Sequence, residues 1–414
     1  MSQANPSPTS VSPHTIPGDV LAFRKHFPTL ATKVHLASNS KAAISDVVID
    51  ANREYLESWR VGGAPWDLWV AKHEELRAAF ADLIGAEVEE IAVCFSATQA
   101  LAMIASCFDW KSRPAVVFDD YSFPSVTHLW HAQATRGAQI RRVHPDSNQE
   151  ILPQAFDEVL DDQVRLVSVS HVCYKNGHRL DLPQVAQRAH EVGAYFMVDD
   201  YQSCGSRPVN VRQDGIDVLV TGTLKYLLGS AGVTLMYVRK EILGDLHPAF
   251  TGWFGQEDPG NFQVERHIEA GDARKFQTGT PAVPAVYDSL AGINLIRSYV
   301  LGPIGAWIDH LTATLMAALE SEGFVVATPQ DPAKRGPAVA IRCLDVERAV
   351  PELAKRDIIV TSRDGNLRTA WHYYNTPDDI DALMYALNEL RSLMVAADRC
   401  SVGAFTKASP SMTP

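Results

Sequence analysis

Nowhere in the 414 residues does an apolar run approach the ~18 positions a membrane-spanning helix needs, so no membrane association is expected. Basic residues are short as well: 37 Lys and Arg face 49 Asp and Glu, a formal net charge of −12. A sequence-independent hold on nucleic acid or an anionic bilayer needs a basic face, and this balance speaks against both. Residues 1–17 offer Ser, Pro and Thr but neither a basic stretch nor an apolar core, and do not read as a signal peptide. Cysteine is sparse. The six form no CxxC pair and no zinc-like spacing, which points to a reduced, cytoplasmic setting. His128 and His131 have the spacing of one helix face but no third ligand accompanies them, and no metal is expected. There is no GxGxxG, which disfavours a dinucleotide site.

What is present is alternation. Short apolar runs at 91–95, 115–119, 139–143, 164–170, 195–199, 217–221 and 232–238 have the length of buried strands. Helix-period stretches such as 72–85, 98–108 and 182–193 lie between them. The order predicts an α/β domain, a seven-stranded and mostly parallel sheet with helices on both faces. Ligands of such sheets sit beyond the carboxyl ends of the strands. A long helix at 302–323 then leads to short alternating segments at 324–326 and 338–342, a helix at 346–356 and a strand at 358–361. The last helix opens with Thr376 as N-cap and Pro377 at N1, followed by Asp378 and Asp379. We expect a large domain over 18–294, a small α+β domain over 295–400, and flexible ends at 1–17 and 401–414. Residues 18–35 are expected to pack with the small domain.

The chemistry gathers at strand ends. Lys225 lies in Thr221-Gly222-Thr223-Leu224-Lys225-Tyr226-Leu227-Leu228-Gly229, and Asp199 closes the run Tyr195-Phe196-Met197-Val198-Asp199. A lysine in a loop of glycine and hydroxyl residues would hold an aldehyde cofactor as a Schiff base, and a strand-end carboxylate would keep that cofactor's ring nitrogen protonated. Pyridoxal 5′-phosphate is that cofactor. Asp200 follows directly, but adjacent strand residues point to opposite faces, and Asp199 is the one assigned to the site. Gln202, a turn later, is placed to bond the cofactor's phenolic oxygen. Ser96-Ala97-Thr98 joins a strand to a helix, where free backbone N–H groups and a hydroxyl form a phosphate site; a plain N-cap reads the same residues equally well. Phe123 stands where an aromatic ring stacks on a flat heterocycle or simply packs. Tyr174 offers a phenol to the same side. Arg368 has the planar fork that grips a substrate carboxylate, with Arg363 as a nearby competitor. Trp66, Trp69 and the Ser38-Asn39-Ser40 turn are candidates for a side-chain pocket, or for core.

Read in order, several segments resemble a known family: Ser96-Ala97-Thr98, Phe123-Pro124-Ser125, Ser170-His171-Val172 with Gly177, Val198-Asp199, Gln202-Ser203, Lys225-Tyr226-Leu227, Thr278-Gly279-Thr280-Pro281, and Arg368 before Tyr374-Asn375. The chain is similar to the fold-type I enzymes of the class V aminotransferase superfamily, from about Phe23 to Leu393. That superfamily includes kynureninases, cysteine desulfurases and isopenicillin-epimerase-like proteins. The resemblance implies the PLP-dependent transferase fold with a small C-terminal domain, and Lys225 as Schiff-base lysine and proton carrier. Asp199 would pair with the ring nitrogen, Phe123 would stack on the ring and Gln202 would bond its oxygen. Thr98 and Thr223, with the Ala97 backbone, would hold the phosphate. Thr280 and Trp253 would reach the phosphate from a neighbouring subunit, which implies a homodimer with shared active sites. Arg368, beside Asn39 and Ser40, would bind the carboxylate of an amino-acid substrate.

Departures narrow the reaction. Gly252-Trp253-Phe254-Gly255 and His171-Val172-Cys173-Tyr174 have kynureninase texture, yet Leu224 stands where those enzymes carry a tyrosine and Gln202 where they carry a histidine. The stretch 357–367 holds no cysteine, which speaks against a persulfide-forming desulfurase, and Cys343 falls in an expected strand. The preferred expectation is a lyase or hydrolase that cleaves an amino-acid side chain at a C–S or Cβ–Cγ bond. A class V aminotransferase is the alternative, and an epimerase or cyclisation enzyme a further one. A non-catalytic scaffold is disfavoured by Lys225, Asp199 and Arg368 occurring together.

Overall fold

Seven strands form the central sheet, in the order Ile91–Cys94, Thr234–Val238, Val218–Gly222, Tyr195–Asp199, Val164–Ser170, Ala115–Asp119 and Gln139–Val143. The structure is a computed structural model that describes residues 16–396. Apart from Ile16 and Pro17, the expected flexible N-terminal segment lies outside the described residues, and so does the tail from 401. Six strands run parallel, and Thr234–Val238 opposes both of its neighbours. The strands start and stop within two residues of their expected places.

Continuous burial explains why these runs are apolar throughout. Along Ala115–Asp119, Ala115 and Val117 join one hydrophobic cluster, while Val116 and Phe118 join the other, on the opposite face. Helices Ala97–Ser106 and Pro124–Gln133 cover one face, and Leu182–Glu191 and Val283–Arg297 contribute to the other. Trp130 brings a polar atom into this core and satisfies it by donating to Ser168 Oγ at 3.0 Å.

Two long helices, Asp46–Gly62 and Trp66–Ile84, pack on Val283–Arg297. The second begins six residues before the expected stretch, and the first was not anticipated. Of its residues only Val48 is buried, and Leu56, Trp59 and Val61 are exposed.

A second, antiparallel sheet has the order Thr361–Arg363, Asn366–Ala370, Ala338–Arg342. The expected strand at 358–361 is divided, because Ile358–Ile359 leaves to pair in parallel with Val34–His35. Residues 324–326 make only isolated bridges, Phe324 to Ala396 and Val326 to Ile341. The amino-terminal segment is tied to this part of the chain. Phe23 packs against Tyr299, His372 and Tyr373, and Arg24 donates to Tyr374 O and to both oxygens of Asp379.

Asp379 also closes the capping box of helix Pro377–Glu389. Its carboxylate accepts from the Thr376 N–H while Thr376 caps in return. Asp379 is buried, and Arg24 is its cationic partner. Thr376→Ala is expected to cost about 1 kcal/mol. Asp379→Ala, which strips the cap and leaves Arg24 without its carboxylate, is expected to cost about 2–4 kcal/mol. Thermal unfolding of both variants reads the order, and equal shifts would refute it.

Candidate active site

The parallel strands place Cys94, Ser170, Asp199 and Gly222 at one edge of the sheet, and a cavity of about 380 Å³ opens there. Its lining includes Ser40, Ala97, Thr98, Phe123, Tyr174, Asp199, Gln202 and Lys225. Thus most of the expected site residues, scattered over nearly 200 positions of sequence, surround one space.

Lys225 is held by its loop rather than by a counter-ion. Four successive carbonyls are engaged: Thr223 O by Gly229 N–H, Leu224 O by Ala42 N–H, Lys225 O by Leu228 N–H and Tyr226 O by His372 Nε2. His372 accepts the Tyr373 N–H at Nδ1, so Nε2 carries the proton that Tyr226 O receives. Burial lowers the His372 pKa to about 4, in keeping with a neutral ring. Gly292 of helix Val283–Arg297 lets that helix lie against the loop, since a Cβ there would stand 2.5 Å from Leu227 O. Among the described residues, the Lys225 side chain makes no hydrogen bond or ion pair. Its Nζ lies 4.5 Å from the centre of the Tyr201 ring. Burial lowers its pKa to about 8; the Asp199 charge opposes the shift and Arg368 adds to it.

Asp199 lines the cavity, whereas Asp200 accepts from His171 and Ser203 in the interior. One Asp199 oxygen accepts the Tyr201 N–H at 3.0 Å, and the other has no hydrogen bond among the described residues. Burial raises its pKa to about 6, so this carboxyl lacks a full set of donors. An N–H arriving from a ligand in the cavity would supply one.

At the start of helix Ala97–Ser106, Ser96 Oγ accepts from Gln99 N–H. The N–H groups of Ala97 and Thr98 have no partner within the helix, and both residues face the cavity. This is an anion site of the kind a phosphate fills. Phe123 packs edge-on to Tyr174. Gln202 donates to Asn39 O at 3.3 Å. An open carboxyl oxygen, free helix N–H groups and a buried amine around one hollow fit pyridoxal 5′-phosphate.

Other expected residues lie elsewhere. Thr223 does not line the cavity: its hydroxyl donates to Ser230 O and Val233 O and accepts from Ser289. These bonds close the lysine loop, and Thr223 is absent from the lining where the phosphate was expected. The Asn39 side chain is buried, with Oδ1 accepting from Thr361 and Nδ2 unpartnered, while Ser40 reaches the lining. Arg368 is buried and does not line the cavity; it donates to the carbonyl of the lining residue Tyr174 and leaves Nε unpaired. Burial lowers its pKa to about 10, and the Arg363 charge adds to the shift. Trp253 stacks on Phe262 beside a separate hollow, and Thr280 is exposed. Neither touches the cavity of its own chain. Trp66 is exposed and Trp69 packs on Tyr55, and neither lines this cavity.

Tyr201 went unassigned in the sequence. Its ring lies under Lys225, and its hydroxyl makes no hydrogen bond among the described residues. Its one mark in the sequence is its place two residues beyond Asp199; the structure adds that Gly222 leaves it room, since a Cβ there would sit 1.9 Å from Tyr201 Cζ.

The class-V aminotransferase family model matches residues 34–383. A Bacillus subtilis protein named uncharacterized aminotransferase YcbU is 33% identical over 369 residues, covering 89% of this chain and 96% of that protein. A kynureninase of Bacillus thuringiensis subsp. konkukian is 26% identical over 381 residues, covering 86% and 88%. The apo cysteine desulfurase of Thermococcus onnurineus NA1 shares the fold at a TM-score of 0.82 and 23% identity, over 92% of this chain and 100% of that one. A C-DES mutant with glycine covalently linked to its PLP cofactor does so at 0.81 and 21%, over 88% and 98%.

The electrostatics give a titration with a defined sign. In cofactor-free protein, Lys225 should react with an amine reagent with a midpoint near pH 8, well below surface lysines. Asp199→Asn removes the charge that holds the ammonium, so the midpoint should fall; Arg368→Gln removes a repelling charge, so it should rise. Labelling followed by peptide mass spectrometry reads all three. Midpoints that do not move, or move the other way, would contradict this field.

Proposed function

The chain belongs to the class V aminotransferase family and is a pyridoxal 5′-phosphate-dependent enzyme, and we propose that it cleaves the side chain of an α-amino acid. The bond broken is C–S or Cβ–Cγ. The observation that carries this reading is a buried amine poised near neutrality with a protonated phenol directly beneath it.

When bound, pyridoxal 5′-phosphate supplies an aldehyde that captures amines and a ring that draws electrons from the substrate's α-carbon. The Ala97 and Thr98 N–H groups and the Thr98 hydroxyl would hold the phosphate. The open Asp199 oxygen would accept the ring N–H, Phe123 would lie on the ring, and Gln202, with Tyr174 nearby, would bond its oxygen. Lys225 Nζ would anchor the aldehyde carbon and carry the α-proton; with a pKa near 8, an appreciable fraction is unprotonated at neutral pH. Arg368 would present its fork to the α-carboxylate, beside Ser40 and Asn39.

C–S cleavage demands a proton for the departing sulfur, and Cβ–Cγ cleavage demands water at the departing acyl carbon and a proton for the Cβ left behind. Leu224 carries none, but burial raises the Tyr201 pKa to about 12, so its phenol stays protonated at neutral pH. The persulfide route is set aside because the described cysteines do not suit it. Cys343 is buried with its thiol donating to Leu393 O, and burial raises its pKa. Transamination is the second reading, favoured by the name of the 33% identical relative. We further propose a homodimer. It is supported by exposed Leu56, Trp59, Val61, Phe262 and Val264, and by Trp253 and Thr280 lying outside their own chain's cavity. Among the described residues no helix is long and apolar enough to cross a membrane.

Loaded with pyridoxal 5′-phosphate, the wild type should be yellow and Lys225→Ala should not. Given an amino-acid panel without added keto acid, it should release ammonia, sulfide, alanine or an aromatic acid over many turnovers. Asp199→Asn should slow this by about 10²–10³-fold. Product that stops at one equivalent until a keto acid is added would convert the reading to transamination. A colourless wild type would overturn it.

A further inference from the structure

The strand Thr361–Arg363 pairs antiparallel with Asn366–Ala370, with Thr361 opposite Arg368 and Arg363 opposite Asn366. Cross-strand partners share a face, and so do alternate residues of one strand, so Thr361, Arg363 and Arg368 project to the same side. None of the three lines the cavity, but two of them bond residues beside or in its wall. Thr361 donates to Asn39 Oδ1 at 3.2 Å, and Arg368 donates to the carbonyl of Tyr174, a lining residue. Arg363 therefore stands diagonal to Arg368, exposed where Arg368 is buried.

Neither arginine has a carboxylate partner among the described residues. The acid nearest in sequence, Asp364, lies 3.4 Å from Lys175 Nζ. The two guanidinium groups act on one another: beyond burial, the Arg363 charge is the next cause of the lowered Arg368 pKa. Arg363 acts on the Tyr174 phenol as well, opposing the rise that burial imposes there. Two uncompensated cations on diagonal positions repel, and an anion with a charge near each relieves the repulsion. A single α-carboxylate at Arg368 leaves Arg363 without a role.

We propose that the substrate is an amino acid whose side chain carries a second carboxylate, held by Arg363 while Arg368 holds the α-carboxylate. This rests on the reading of Arg368 given above. Diagonal strand positions lie about 7–8 Å apart, a separation that two arginine side chains bridge readily onto one small dianion.

The test uses glutarate and butyrate, which have no amine and bind without reacting, titrated calorimetrically into the cofactor-loaded protein. The wild type should bind glutarate at least tenfold more tightly than butyrate. Arg363→Gln should abolish that preference while leaving butyrate within twofold, and Arg363→Lys should retain part of it. Arg368→Gln should weaken both ligands. A wild type that binds the two alike or binds neither would overturn the proposal, as would Arg363→Gln with the preference intact. The proposed reaction stands or falls separately, on the Lys225→Ala spectrum and the amino-acid panel.

Discussion

Four consecutive carbonyls, from Thr223 to Tyr226, are each bonded to a different group, and this fixes where the Lys225 amine can be. A lysine partly buried without a counter-ion is costly, and here the loop backbone holds it in place. Two of the partners lie in the loop itself, Leu228 and Gly229, and two come from distant parts of the chain, Ala42 near the beginning and His372 near the end; Ser289 and Gly292 of the supporting helix hold the loop from outside. The lysine is therefore positioned by the whole fold. Its desolvation, in turn, is what brings the amine into the range where it can exchange a proton at neutral pH.

The rest of the site follows from the sheet. Parallel strands end together, so a carboxylate at one strand end and free N–H groups after another converge without any further device. Arg368 arrives by a different route, on the antiparallel sheet whose neighbourhood is tied to the amino-terminal segment by Val34–His35 and by Arg24. The free helix N–H groups and the arginines thus rest on two separately built supports, the central sheet and the antiparallel one.

The strands were legible because burial on both faces demands unbroken apolar runs, and Asp199 was distinguishable from Asp200 because strand residues alternate. The start of helix Pro377–Glu389 was legible because capping is local chemistry. What escaped depends on packing. Thr223 has the residue type of a phosphate ligand, and its contact with Ser289, which sequence could not show, ties its hydroxyl to the loop. Trp66 and Trp69 looked like pocket walls, but their helix lies against Val283–Arg297, away from the cavity. Helix Asp46–Gly62 escaped although Val48, Ala51, Tyr55 and Trp59 recur at helical spacing. Tyr201 was hidden because its importance depends on the absence of a side chain at Gly222, across the sheet edge.

The central claim is that Lys225, of all the lysines, is the one that bonds the cofactor. Borohydride reduction of the protein loaded with pyridoxal 5′-phosphate, followed by peptide mass spectrometry, tests it most directly. The account predicts a stable phosphopyridoxyl group on the peptide containing Lys225 and on no other. Its appearance on a different lysine, or its absence from the Lys225 peptide, would contradict the account.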